Sequence, residues 1–188
     1  MTMQDLIKLA RFYGRFTPSY TKIGYFGRGL FLKRYATDFS GQRWVVTGAS
    51  GGIGRAIVHA AAKNGAEVLA VARSEAKLKG AIAQLPAAVA ARVSYEVADM
   101  SLQESTQGLL ERMVASGKKI DVLINNVGVL FNELTVTREG REATFVTNLL
   151  SHYLLTEGLI QQDCFNDKAA IINMTSGGMY NAPVGTAR

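Results

Sequence analysis

From Gln42 onward the chain alternates short apolar runs with longer stretches in which apolar residues recur every three or four positions. The short runs are RWVVT (43–47), EVLAVA (67–72), RVSYEVA (92–98), KIDVLIN (119–125) and AAIINMT (169–175). They are rich in Val, Ile and Leu, which predicts strands buried on both faces, as in a parallel sheet covered by crossover helices. Ile53 to Lys63 predicts a helix stopped by Asn64-Gly65, since glycine accepts the left-handed conformation that closes a helix. Ser74 and Ser101 stand where N-caps are expected for the second and third helices. Thr137 to about Gln162 predicts a long fourth helix, with Phe145, Leu149, His152 and Leu155 at helical spacing and Tyr153 on its apolar face. Strand and helix in strict alternation predict the α/β class: a doubly wound parallel sheet over residues 41–188.

Residues 1–40 break this pattern. Leu6, Ile7, Ala10, Phe12 and Tyr13 fit a short amphipathic helix, and nine of the chain's sixteen aromatic residues fall in this stretch. Seven basic residues (Lys8, Arg11, Arg15, Lys22, Arg28, Lys33, Arg34) stand there against Asp5 and Asp38, so the extension carries five of the six net positive charges. The basic excess therefore belongs to the extension, and no nucleic-acid partner is expected of the main domain. A basic, aromatic extension suits a membrane surface. The alternatives are that its aromatics clamp it onto the domain or onto a second subunit in a homo-oligomer, or that it is a mitochondrial transit peptide, against which Asp5 and the scarcity of serine argue.

With 188 residues, 48% hydrophobic, and only 3 prolines, the chain can bury a sizeable core and is not a disordered tail. A single cysteine, Cys164, excludes an internal disulfide framework and suits a reducing, cytoplasmic setting. No apolar run is long enough to span a membrane, and no cluster with metal-ligand spacing is present. His59 and His152 lie within helical patterns and read as packing or surface residues.

The chemistry begins at TGASGGIG, Thr47 to Gly54, between the first strand and the first helix. Glycines there let the backbone turn tightly and approach a pyrophosphate, whose charge is favoured by the free amides of a helix N-terminus. The second strand ends in Ala72-Arg73-Ser74. In such folds an acid near this point accepts from a ribose 2′-hydroxyl and marks NAD, whereas an arginine accommodates a 2′-phosphate. No acid stands here, so Arg73 favours NADP over NAD, the alternative being a solvated surface arginine.

The spacing Gly48-x-x-x-Gly52-x-Gly54 resembles the TGxxxGxG loop of the short-chain dehydrogenase/reductase family. The resemblance continues through Asp99-Met100 after the third strand, Asn125-Asn126-Val127-Gly128 in place of NNAG, Asn148 in TNLLSHYLLT, and Ser176 after IINMT. It implies a Rossmann fold and hydride transfer between a nicotinamide and a small alcohol or carbonyl substrate. It further implies cofactor contacts from Thr47, Gly48, Ser50, Gly52, Ile53, Gly54, Arg73, Asp99, Met100, Asn125, Asn126 and Gly128. Asn148 would help to hold a proton-relay water, and Ser176 would bind the substrate oxygen. Taken alone, Asn148 also fits a buried amide tying helix to strand, and Ser176 a loop cap. SYTKIGYFGRGLF (19–31) with the later TSGGM is similar to the member-twelve subgroup of these enzymes, which has a comparable basic, aromatic extension.

The family's chemistry also requires a Tyr-x-x-x-Lys pair, in which the tyrosine passes a proton and the lysine lowers its pKa. None of the seven tyrosines has a lysine four residues on; Tyr180, four residues after Ser176, is followed by Val184. The expectation is that the chain stops before the catalytic tyrosine and before the last strands of the sheet. Two functions stay open: an oxidoreductase whose second half lies outside these residues, or a nucleotide-binding module or pseudoenzyme without turnover.

Overall fold

The computed structural model describes residues 3–31 and 37–176. The chain divides into two compact units, Met1–Thr37 and Asp38–Arg188. In the first, α1 (Met3–Tyr20) is followed by α2 (Lys22–Gly29). The helix expected around Leu6 to Tyr13 is therefore the first half of a longer one, because once a helix has nucleated each added residue gains a backbone hydrogen bond. Thr21 separates the two and caps α2, its hydroxyl accepting from the Gly24 amide at 3.3 Å.

The second unit runs β1 (Arg43–Thr47), α3 (Gly52–Lys63), β2 (Glu67–Ala72), α4 (Glu75–Ala83), α5 (Ala87–Ala90), β3 (Val93–Val97), α6 (Gln103–Ala115), β4 (Ile120–Asn125), α7 (Ala143–Phe145), a π-helical turn (Val146–Leu150), α8 (Ser151–Gln161) and β5 (Phe165–Asn173). All pairings are parallel, in the order β3-β2-β1-β4-β5. This is the doubly wound α/β architecture. Alternate residues of each central strand serve opposite layers. Val45, Leu69 and Leu123 pack with Leu109, Leu155 and Leu159 of α6 and α8, whereas Val46, Ala70 and Ile124 pack with Val58, Ala61 and Leu78 of α3 and α4. Each fully buried Leu or Val contributes about 1.5–3 kcal/mol. The small alanines on the second face let α3 lie close to the sheet, which brings its first turn up to the end of β1.

Several elements differ from expectation. The fourth helix begins at Ala143 instead of Thr137. Thr137 to Arg141 instead make a tight turn, with the Thr137 amide donating to the Arg141 carbonyl at 2.8 Å and Gly140 at φ +75° supplying the left-handed corner. Glu142 then caps the helix, its carboxylate accepting from the amides of Thr144 and Phe145. The π turn breaks the 3.6-residue period. Phe145, Leu149 and Tyr153 are consequently exposed, and the buried stripe is Val146, Thr147, Ser151, His152, Leu155 and Leu159.

Ser74 caps α4 as expected, accepting from the Lys77 amide at 3.4 Å. Ser101 does not cap α6: its amide and hydroxyl both donate to Asp99 Oδ1, at 2.9 and 2.7 Å, and the N-cap position falls on Leu102. The fifth strand starts earlier than expected and ends at Asn173, with a register irregularity against Ile120–Val122. The four-residue α5, entered through Pro86, has no apolar period long enough to announce it.

Candidate functional site

Strand order reverses between β1 and β4, so the loops leaving their C-terminal ends diverge and open a crevice there. The crevice is a cleft of about 570 Å³. Its walls are the β1–α3 loop (Gly48, Ser50), the end of β2 (Arg73), the turn after β3 (Asp99 to Leu102), the segment after β4 (Val127 to Val129), and a hairpin at Thr135 to Arg138. Among the expected residues, Gly48, Ser50, Arg73, Asp99, Met100 and Gly128 border it.

The glycine loop is shaped by close backbone approach. Gly48 has φ +67°, and a Cβ there would lie 2.9 Å from Val127 Cα; at Gly54 a Cβ would lie 2.3 Å from the Gly48 carbonyl oxygen. Neither obstacle is a flexible side-chain end, so only glycine fits at both positions. Gly52 also lies in the left-handed region, at φ +51°. The N-cap of α3 is Gly51, and no side chain caps the first turn. Its orphan amides, beside the exposed Ile53, are thus left for solvent or an anion.

Thr47 is fully buried and does not border the cleft. Its hydroxyl donates to the Ile124 carbonyl at 3.3 Å and accepts from the amides of Asn126 and Val127 at 2.9 and 3.1 Å. Asn126 answers by donating its side-chain amide to the Thr47 carbonyl at 2.9 Å. One threonine and one asparagine thereby lock the loop after β1 to the loop after β4. Asn125 is also buried, its Nδ2 donating to Thr156 and to Asn173 Oδ1, at 3.0 and 2.8 Å, which joins β4 to α8 and β5.

Asn148 sits inside the π turn and grips the loop after β4 at both ends of one residue. Its Oδ1 accepts from the Val129 amide and its Nδ2 donates to the Val129 carbonyl, each at 2.8 Å. Asp99 is held by Ser101, while its own amide donates to Ser105 Oγ at 2.8 Å. Met100 is buried against α8, its carbonyl accepting from Ser151 Oγ at 2.6 Å. Arg73 is exposed and makes no ion pair among the described residues.

Two features of the cleft and one residue beside it were not singled out by the sequence. Thr147 Oγ1 is buried in the cleft wall without a hydrogen-bond partner among the described residues, a vacancy that a polar ligand atom could satisfy. Arg138 adds a second cation and lies 3.5 Å from Glu104. Glu139 accepts from the first two amides of α6. Thr147 adjoins the motif asparagine, but no pattern marks Arg138 or Glu139, since only folding brings the hairpin to α6.

Ser176 is exposed just beyond β5, and neither it nor Asn148 borders the cleft. Tyr180 lies outside the described residues. His152 is buried; desolvation pulls its imidazole below the ordinary histidine pKa, opposed by a hydrogen bond with the Asn148 backbone. Cys164 is buried in the α6–α8 core.

The family model for short chain dehydrogenases matches residues 42–187. The chain is 31% identical over 180 residues to dehydrogenase/reductase SDR family member 12 of Bos taurus, covering 93% of this chain and 56% of that protein. Retinol dehydrogenase 12 of Mus musculus is 33% identical over 137 residues, 72% of this chain and 43% of that one. The chain thus spans about half the length of the curated relatives it matches. A solved structure from Beutenbergia cavernae, described as an NAD(P) dependent gluconate 5-dehydrogenase and holding NADP at low occupancy, is 29% identical with a TM-score of 0.56, over 67% of this chain and 50% of its own.

Proposed function

The chain belongs to the short chain dehydrogenase family, and from that premise we propose that its cleft binds NADP(H) for hydride exchange with a small alcohol or carbonyl compound. The observation that carries this reading is that one cleft is bordered by the glycine loop, by the exposed Arg73 guanidinium with no acid at the end of β2, and by Asp99. The residues fit such a cofactor. Gly48 and Gly54 let the loop pack backbone against backbone on itself and on Val127, the uncapped first turn of α3 suits the pyrophosphate, and Arg73 suits a 2′-phosphate.

The bound nicotinamide would supply the hydride. Ser50 and Gly128 would border the cofactor, Asp99 would meet its adenine, and Thr47, Asn125 and Asn126 would hold the surrounding loops in place. Asn148 would fix the Val127 to Val129 segment, and Ser176 would orient a substrate oxygen at the end of the sheet. The basic, aromatic first unit, with Phe12, Tyr13, Tyr25 and Phe26 exposed, suits peripheral contact with an anionic membrane.

A second reading, nucleotide binding without turnover, is favoured for these 188 residues by one observation: no tyrosine is followed by a lysine four positions later. The two readings separate in an NADPH-oxidation assay over a panel of aldehydes and ketones. The expected result for the chain alone is bound NADPH with no carbonyl-dependent oxidation. Turnover that disappears in Tyr180→Phe would overturn it and make Tyr180 the proton donor.

A further inference from the structure

The hairpin formed by Thr135 to Ala143 borders the cleft, as does the Asp99 to Leu102 turn, yet little apolar packing holds it. Leu134 and Val136 are exposed, and its internal bonds, from the Ala143 amide to the Thr135 carbonyl and from the Thr137 amide to the Arg141 carbonyl, fix its shape but not its position. Its tip is fastened by Glu139. Oε2 accepts from the Gln103 amide at 2.7 Å and Oε1 from the Glu104 amide at 3.1 Å. These are the first two amides of α6, whose N-cap, Leu102, has no side chain to offer them. The amides hold the Glu139 carboxyl below the usual carboxylate range. Arg138 adds a looser contact, 3.5 Å from the exposed Glu104 carboxylate. Among the described residues no other hydrogen bond or ion pair joins the hairpin tip to the rest of the fold.

We propose that Glu139 is a positioning residue for the nucleotide: by capping α6 it clips the hairpin to the Asp99 to Leu102 turn and sets the width of the adenosine end. The two walls it joins are both cleft walls, since Leu102 and Arg138 border the cleft directly. The helix cap and the ligand cleft therefore share one carboxylate. Without it the hairpin swings on its base, the closed cleft becomes a minority state, and affinity falls by the fraction that remains closed. This inference rests on the nucleotide reading given above.

The test is calorimetric titration of the 188-residue chain with NADPH and with 2′,5′-ADP, which carries only the adenosine end. Two charge-assisted bonds are worth enough to shift the closed population by at least about tenfold, so Glu139→Ala is expected to bind both probes at least about tenfold more weakly. Glu139→Gln, which keeps one accepting oxygen, should fall between. Because losing a cap also lowers stability, Leu78→Val on the buried face of α4 serves as a control that lowers the melting temperature without touching the cleft. Its affinities should stay at the parent value. Equal affinity loss in Glu139→Ala and Leu78→Val would reduce Glu139 to a stability element and overturn the proposal. Parent-like affinity in Glu139→Ala would overturn it while leaving the nucleotide reading intact. Failure of the parent to bind either probe would remove both.

Discussion

Replacing Thr47 by valine keeps the shape of a fully buried side chain and removes only the hydroxyl. That oxygen accepts from two backbone amides of the loop after β4, at 2.9 and 3.1 Å, and donates to the Ile124 carbonyl at 3.3 Å. Ile124 stays within the β1–β4 ladder, so its carbonyl loses little. The amides of Asn126 and Val127 have no other acceptor among the described residues. Each unsatisfied amide costs about 1–3 kcal/mol, and with partial relaxation the pair should cost about 2–4 kcal/mol. For a unit of this size that is a fall of roughly 5–15 °C in melting temperature, at about 2–4 °C per kcal/mol. Thr47→Ser keeps the hydroxyl and loses a methyl group, about 1 kcal/mol. Urea denaturation of the three proteins, followed by circular dichroism, measures the difference. Nucleotide affinity should fall alongside, because Val127 borders the cleft. If Thr47→Val is no less stable than Thr47→Ser, the hydroxyl does not organise the two loops.

Gly54→Ala should weaken NADPH binding at least about tenfold while leaving the sheet folded, since its Cβ would meet the Gly48 carbonyl oxygen at 2.3 Å and force the glycine loop out of place; calorimetry together with circular dichroism checks both halves. His152 has a folded-state pKa below its ordinary value of 6.5, so the unfolded chain takes up its proton first and stability should drop as pH falls below about 6.5. Comparing the urea midpoint at pH 7.5 and 5.5 in the parent and in His152→Gln tests this, and an identical pH slope in the two would refute it. Residues 1–40 should bring the protein down with anionic vesicles at low salt and release it at high salt; co-sedimentation unchanged by their removal would leave packing as the role of the aromatics.

The strands and the glycine loop were legible because their signals are local. A buried parallel strand needs a run such as RWVVT, and the β1–α3 turn needs glycine at positions that no side chain can share. The place of Arg73 at the cleft was legible for the same reason, as the residue that directly follows β2. The start of the fourth helix was not, because the apolar spacing that marks the helix begins only at Phe145, while Gly140 in the left-handed region and the Glu142 cap place the start six residues after Thr137. The π turn rotates Phe145 and Leu149 out of the buried stripe, which no period-based reading anticipates. The roles of Thr47 and Glu139 depend on partners 79 and 36 residues away, so only the folded chain brings them into view.

Selection of NADP(H) by Arg73 is read out by paired calorimetric titrations with NADPH and NADH. In the parent protein NADPH should bind at least about tenfold more tightly than NADH, the value of one charge-assisted phosphate contact, and Arg73→Glu should erase or invert that ratio. Equal affinities for the two cofactors in the parent, or a preference for NADPH that survives Arg73→Glu, would rule out selection by Arg73.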